Sequence, residues 1–331
     1  MTPIKSISLS NTHGMRVDIL DLGGIVSGIH VPDRDGRIEN VVLGFDDHAA
    51  YHGDHPYFGG LIGRCANRIA GARFNLDGRD YVLSANDGPH SLHGGADGFD
   101  KRTWRIEEAD ERSVLLSLVS ADGDQGFPGN LGATVRYSVS STHNELCIDF
   151  EATTDRPTLV NLTAHSYFNL AGSGDIRGHE LSIAADSYTP VDGGLIPTGE
   201  IRNVSGTCFD LRRPRVLSEV LDAAALRQTR GYDQNFVLRG NGGPAARLVH
   251  RASGRVLDVK TTEPGLQLYT GNQLNGSVIG RGGVAYPRHA GLCLEPQRFP
   301  DAPHHPSFPS VRLDPGEVYH AATHYVFGIA D

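Results

Sequence analysis

Cysteine is scarce in this sequence, and its few cysteines lie far apart. Four occur among 331 residues: Cys65, Cys147, Cys208 and Cys293. None forms a Cys-x-x-Cys pair, which zinc ribbons and dithiol redox motifs need. We therefore predict free, mostly buried thiols.

Long apolar runs and dense basic clusters are also missing. No run approaches the roughly 20 apolar residues of a membrane span, and residues 1–6 lack the order of a signal peptide. The net charge is -9, and the densest basic cluster is only residues 212–215. This balance disfavours nucleic acid or an anionic membrane as partner. We predict a cytoplasmic protein, in which sequons such as those at Asn161 and Asn203 have no role.

Glycine and proline are abundant and are spread along the chain at short intervals. There are 41 glycines and 18 prolines, which favours many short strands joined by turns. Three dipeptides separate apolar runs as hairpin turns do: Asp35-Gly36, Asp77-Gly78 and Ser253-Gly254. The first is predicted to join residues 29–31 to residues 41–43.

Apolar alternation supports the same class of fold. Residues 133–139 and 146–150 alternate strictly, as strands with one buried face do. Helical spacing is confined to residues 216–221, with Pro214 predicted in the first turn. We predict an all-β fold, a single large antiparallel β-sandwich domain over residues 1–331 with one or a few short helices.

Five separated segments carry polar residues that a core does not need. Arg68 offers a fork of donors, and Asn67 adds a donor and an acceptor; the alternative for Arg68 is a surface salt bridge. His93 is the better candidate of two histidines in residues 86–95, where glycines permit close backbone approach to a ligand. Asp233 precedes an apolar strand and either binds hydroxyls or caps a turn.

The remaining two segments hold an acid and a base. His165 lies among hydroxyl, amide and aromatic groups, and its alternative is a core histidine satisfied by its neighbours. Glu295 ends an apolar strand, held by the proline that follows. Proton transfer on a polyol needs an ionised base and a protonated acid, and Glu295 and His165 suit those roles.

Other chemistries have less support. His52 with His55, and His304 with His305, suggest metal ligands, but no carboxylate is paired with either cluster at ligand spacing. We expect no catalytic metal. Residues 59–63 lack the ending of a phosphate-binding loop, and no serine hydrolase elbow occurs.

In combination, the motifs resemble the aldose 1-epimerase family, also called galactose mutarotases, over about residues 23–328. The matching stretches are residues 55–59, 63–69, 91–95, 165–170, 232–233 and 265–272, and Glu295 with residues 299–303.

The resemblance implies a β-supersandwich with an open sugar cleft, a small aldose as partner and no cofactor. It also implies that Glu295 takes the proton of the anomeric hydroxyl while His165 protonates the ring oxygen. His93 and Arg68 would stabilise charge near that oxygen, and Asp233 would hold distal hydroxyls. Asn67 and Gln267 are further ligand candidates.

Three positions depart from the commoner family pattern: Gln234 for histidine, Pro296 for Thr or Ser, and His304 for Asn. They put the sugar preference in question. The alternatives to a hexose epimerase are a non-catalytic sugar-binding or sugar-sensing protein on the same fold, and an epimerase of a pentose or a hexose phosphate. The oligomeric state and the pathway served stay open.

Overall fold

The computed structural model describes residues 3–240 and 242–330. In chain order the strands are β1 (Ser6–Ser10), β2 (Arg16–Leu20), β3 (Val26–Pro32), β4 (Ile38–Asn40), β5 (Leu61–Ile62), β6 (Arg68–Ile69), β7 (Arg73–Leu76), β8 (Arg79–Val82), β9 (Ser91–Leu92), β10 (Arg105–Ala109), β11 (Ser113–Ser120), β12 (Leu131–Val139), β13 (Glu145–Thr154), β14 (Thr158–Leu159), β15 (Thr163–Ala164), β16 (Tyr167–Phe168), β17 (Glu180–Ile183), β18 (Ala185–Thr189), β19 (Arg202–Asn203), β20 (Arg215–Val216), β21 (Asp233–Leu238), β22 (Ala246–Val249), β23 (Arg255–Thr261), β24 (Gly265–Tyr269), β25 (Leu292–Gln297), β26 (Arg312–Leu313) and β27 (Tyr319–Ile329).

Helices are short. The α-helix of the described chain is α1 (Leu217–Val220), and the 3-10 helices are His48–His52, Ala70–Ala72, Phe99–Lys101, Asp124–Gly126, Ala224–Leu226, Arg281–Gly283 and Ala302–His304. The predicted short helix is confirmed, but Pro214 is not in its first turn, because residues 215–216 pair with β17 as β20. Among the described residues, no helix is long and apolar enough to cross a membrane.

Two antiparallel sheets dominate the fold. One has nine strands in the order β10-β11-β12-β13-β27-β23-β22-β17-β20, and the other has six in the order β16-β25-β24-β21-β18-β19. Their inner faces share one apolar core, and the Tyr325 hydroxyl of the large sheet donates to the Leu294 carbonyl of the smaller one at 3.0 Å. The predicted antiparallel β-sandwich is confirmed, whereas the single domain stays a prediction.

The three predicted hairpin turns are present. Asp77 and Gly78 have φ of 54° and 79° between β7 and β8, as a two-residue type I′ turn requires. The strand that returns after Asp35-Gly36 is β4, and not residues 41–43 as predicted. Asp33 closes that turn by accepting from the backbone N–H of Arg37, so pairing resumes at Ile38.

Strand alternation also divides the smaller sheet into two chemically different faces. On β24 and β25, Leu266, Leu268, Leu292 and Leu294 belong to the core. The residues between them therefore point to the opposite face. That face carries Gln267 and Glu295, which are direct partners across the two strands.

The cysteines are free, as predicted. Cys65 and Cys293 are buried, and Cys147 and Cys208 are partly exposed.

Candidate active site

A cleft of about 230 Å³ lies over the face of the smaller sheet that carries Glu295. It brings together all seven residues singled out from the sequence, which come from six distant segments. Its lining consists of Pro56, Tyr57, Asn67, Arg68, Leu92, His93, His165, Tyr167, Leu195, Asp233, Gln267, Tyr269, Gln273 and Glu295.

Glu295 is fixed on β25 and is only 2% exposed. Its strand is anchored next to it, because Thr163 donates its hydroxyl hydrogen to the Pro296 carbonyl at 2.7 Å. Within the described part of the chain, Oε2 of Glu295 has no hydrogen-bond partner, and Nε2 of His165 lies 3.6 Å away. Burial, with a smaller effect of the Asp233 charge, raises the pKa of Glu295 well above its ordinary value.

His165 connects β15 to β16 and is held by its backbone. Its N–H donates to Gly60 at 3.0 Å, and its carbonyl accepts from Gly59 at 3.0 Å. Gly59 has φ of 66°, and a Cβ there would lie 2.2 Å from the Val26 carbonyl oxygen, so this close approach needs glycine. Burial lowers the pKa of His165 to about 4. The alternative of a satisfied core histidine does not describe it, since its ring lines the cleft.

These pKa shifts oppose the charges expected from the sequence. Burial disfavours charge on both groups and therefore favours a protonated Glu295 carboxyl group beside a neutral His165. The reactive arrangement, an ionised Glu295 beside a protonated His165, holds the same single proton.

His93 has a defined tautomer. Its Nδ1 accepts from the Asn67 backbone N–H at 3.2 Å, while its own backbone N–H donates to the Asn67 carbonyl at 3.0 Å. Burial lowers the pKa of His93 well below its usual value, so the ring is neutral and its hydrogen is on Nε2. His93 therefore offers a donor 5.2 Å, between ring centroids, from His165.

Gly94, beside His93, packs closely against another backbone segment. A Cβ on Gly94 would lie 1.9 Å from the Gly63 carbonyl oxygen, so this approach needs glycine. Close approach of these glycines to a ligand stays a prediction. The other histidine of the segment, His90, lies outside the lining and accepts from the Gly71 N–H at 3.1 Å.

Arg68 and Asp233 combine structural contacts with a place in the cleft. Nε of Arg68 donates to Asp87 at 2.7 Å, so the salt-bridge alternative is correct in part. Oδ1 of Asp233 accepts from Nε2 of Gln267 at 2.6 Å. This is a bond between two side chains, and it does not cap a turn. Burial raises the pKa of Asp233, although the charge of Arg68 opposes the shift.

Sequence reasoning missed the aromatic walls of the cleft. The Tyr57 ring lies 4.6 Å from His93 and 5.7 Å from His165, and the Tyr167 ring lies 5.1 Å from His165. Both tyrosines stand within stretches that matched the family, as does Tyr269, so position in a motif was the available signal. Leu195 and Gln273 had no such signal.

The aldose 1-epimerase family model matches residues 5–326. The chain belongs to the aldose 1-epimerase family. It is 48% identical to galactose mutarotase of Homo sapiens over 96% of this chain and 92% of that protein. It is 43% identical to aldose 1-epimerase of Escherichia coli (strain K12) over 98% of this chain and 95% of that protein. Membership makes the chain an isomerase.

Solved structures agree with this membership. An aldose epimerase homologue from C. elegans superposes with a TM-score of 0.93 at 33% identity, covering 99% of this chain and 100% of the other. Galactose 1-epimerase from Lactobacillus acidophilus gives a TM-score of 0.88 at 30% identity, covering 99% and 95%.

The three departures from the commoner epimerase pattern lie outside the cleft lining. Gln234 and Pro296 each follow a lining residue on a strand, so alternation turns them to the other face. His304 bonds through Nδ1 to Asp301 at 2.6 Å. The expectation that His304 and His305 have no paired carboxylate is wrong, because Asp301 contacts both.

One group of side chains in this epimerase has the donor set of a metal site. Ligand atoms of His165, Cys293 and Glu295 lie within 4.8 Å of one another. A metal needs the thiolate and the carboxylate, whereas burial raises the pKa of both groups and favours their protonated forms. Without a bound metal, these residues therefore favour the protonated forms that suit proton transfer.

The proton count of the pair predicts a bell-shaped pH dependence of kcat/KM. Below pH about 4, His165 also becomes protonated, and the pair has no base. Above the raised pKa of Glu295 the single proton is lost, and the pair has no acid. Polarimetry across both limbs, corrected for the spontaneous reaction, measures this profile. An acid limb centred near the ordinary imidazole value of about 6.5 would contradict it.

Proposed function

We propose that this chain is an aldose 1-epimerase that interconverts the α and β anomers of a free aldohexose such as galactose or glucose. The observation that carries the proposal is the pair of Glu295 and His165, 3.6 Å apart in the lining of one cleft. A sugar ring placed over the pair meets the carboxyl group at one oxygen and the imidazole at a neighbouring oxygen.

The reaction uses the reactive arrangement of the pair. The Glu295 carboxylate takes the proton of the anomeric hydroxyl, while Nε2 of His165 gives its proton to the ring oxygen. The bond between the anomeric carbon and the ring oxygen breaks, leaving an open-chain aldehyde. Rotation about the bond between the first two carbons exposes the other carbonyl face, and reclosure with exchanged acid and base roles returns both protons.

The neighbours of the pair stabilise developing charge and position the sugar. His93 presents Nε2–H close to His165, where negative charge develops on the ring oxygen. Arg68 adds a positive charge to the same wall. Asp233 and Gln267, joined by their own hydrogen bond, offer acceptors to hydroxyls farther from the anomeric carbon.

The lining favours a neutral sugar over a phosphorylated one. Arg68 is the one Arg or Lys among the described lining residues, and its Nε is already paired with Asp87. A phosphate ester would need donors that are not engaged elsewhere. A pentose would lack one hydroxymethyl group and is a comparison substrate.

A non-catalytic sugar-binding protein is disfavoured by the same pair. Binding alone has no need of a buried carboxyl group facing an imidazole, because desolvating both groups is costly. We further propose a cytoplasmic location, which the four free cysteines support.

Optical rotation tests the function. Freshly dissolved α-galactose and α-glucose are followed with and without purified protein, and the spontaneous rate is subtracted. We expect acceleration with one or both sugars and none with a hexose phosphate. Acceleration only with a pentose or a phosphorylated hexose would change the substrate, and binding without any acceleration would favour the sugar-binding protein.

A further inference from the structure

Cys293 contacts the second ring nitrogen of the proposed acid. It precedes Glu295 by two residues on β25, so both side chains lie on the same face of the sheet. Its Sγ lies 3.5 Å from Nδ1 of His165, and the residue is fully buried. The proposed mechanism uses Nε2 of His165 only, and it gives no role to the sulfur.

The two ring nitrogens of His165 have different neighbours. Nε2 lies 3.6 Å from Oε2 of Glu295, where burial favours a protonated carboxyl group, and Nδ1 lies against the sulfur. This arrangement favours Nε2 as the acceptor and a ring hydrogen on Nδ1. Burial raises the pKa of the Cys293 thiol well above its ordinary value, so the sulfur is uncharged. Nδ1–H therefore meets a neutral sulfur, which is a weak acceptor.

We propose that Cys293 is a positioning residue that accepts a hydrogen bond from Nδ1–H of His165 and leaves Nε2 as the only nitrogen that exchanges protons with the sugar. This inference rests on the proposed function for its kinetic consequence but not for the tautomer itself.

A weak acceptor suits an acid of this kind. A carboxylate at Nδ1 would stabilise the imidazolium and make it a poorer proton donor. The sulfur fixes the ring with little such stabilisation. The other titratable groups that face or influence His165 from neighbouring segments are Glu295, His55, Tyr57, His93, Tyr167 and Tyr269.

Nitrogen NMR of the full chain with labelled histidine tests the tautomer directly. The His165 signals are assigned by their loss in His165→Asn. We expect wild type near neutral pH to show hydrogen on Nδ1 and none on Nε2. Hydrogen on Nε2 would overturn the proposal, because the thiol would then be the donor.

Two variants test the consequence. Cys293→Ala removes the acceptor, so we expect mixed tautomers and a kcat about fivefold lower at unchanged KM, the rate equivalent of about one hydrogen bond. Cys293→Ser supplies a stronger acceptor, so it should restore the single tautomer and move the acid limb of the pH profile to higher pH.

The outcomes separate the two proposals. A single Nδ1–H tautomer in protein that does not epimerise any sugar would support the contact and remove the proposed function. An unchanged tautomer and pH profile in Cys293→Ala would overturn the role of Cys293 while leaving the function intact. If Cys293→Ala fails to fold, as thermal unfolding would reveal, the wild-type tautomer and the Cys293→Ser profile decide the matter.

Discussion

Glu295→Gln is expected to lower kcat by about a hundredfold or more, the usual contribution of a general base. The amide cannot take the proton of the anomeric hydroxyl, so the ring does not open by this route. The loss in catalysis should come with an intact fold, because glutamine closely matches the uncharged carboxyl group that burial favours. Polarimetry with background subtraction gives kcat, and thermal unfolding checks the fold.

Asp233→Asn is the matched control for this variant. It makes the same carboxyl-to-amide change in the same cleft, and the oxygen of the new amide can still accept from Gln267. We expect a higher KM and a nearly unchanged kcat, since the proposed mechanism uses Asp233 to position the sugar and not to transfer a proton. Near-normal kcat in Glu295→Gln, or equal loss of kcat in both variants, would remove the assignment of Glu295 as the base.

His165→Asn is expected to reduce kcat by a similar factor, about a hundredfold or more. Asparagine does not titrate near neutral pH and cannot protonate the ring oxygen. Some stability should also be lost, because the imidazole packs against the rings of Tyr57, Tyr167 and His93. The rate is therefore measured below the unfolding transition of the variant, and the acid limb of its pH profile should disappear.

His304→Asn provides the comparison for the second variant. His304 is outside the cleft, and asparagine is the residue common at this position in the family pattern. We expect kcat and KM to stay close to those of wild type. If His304→Asn lost as much activity as His165→Asn, the effect would belong to histidine replacement in general. If His165→Asn kept normal turnover, His165 would not be the acid.

The predictions from sequence were most accurate where the signal is local. Two-residue alternation predicted β12 and β13, and the Asp77-Gly78 dipeptide predicted the turn between β7 and β8, because both patterns depend only on neighbouring residues. The limits of that signal appear at β4. The side chain of Asp33 ends the turn at Arg37, so β4 begins at Ile38 and not at the more apolar residues 41–43.

Candidate residues were found by chemical type and by position within motifs, and all seven line one cleft. The roles of Gly94 and of the tyrosines were missed, because they depend on which distant segments meet. Gly94 approaches Gly63, and Tyr57 reaches His93, only after the loops pack together.

Residue order alone was enough to predict the class of fold, the family and the set of polar residues, since alternation, turn dipeptides and motifs are properties of neighbouring residues. The electrostatics of the cleft became visible only in the packed structure. Burial disfavours the charges expected on Glu295 and His165, and the contact between Cys293 and His165 joins residues 128 positions apart. Desolvation and distant contacts both depend on how the sheets and loops pack, which no local pattern specifies.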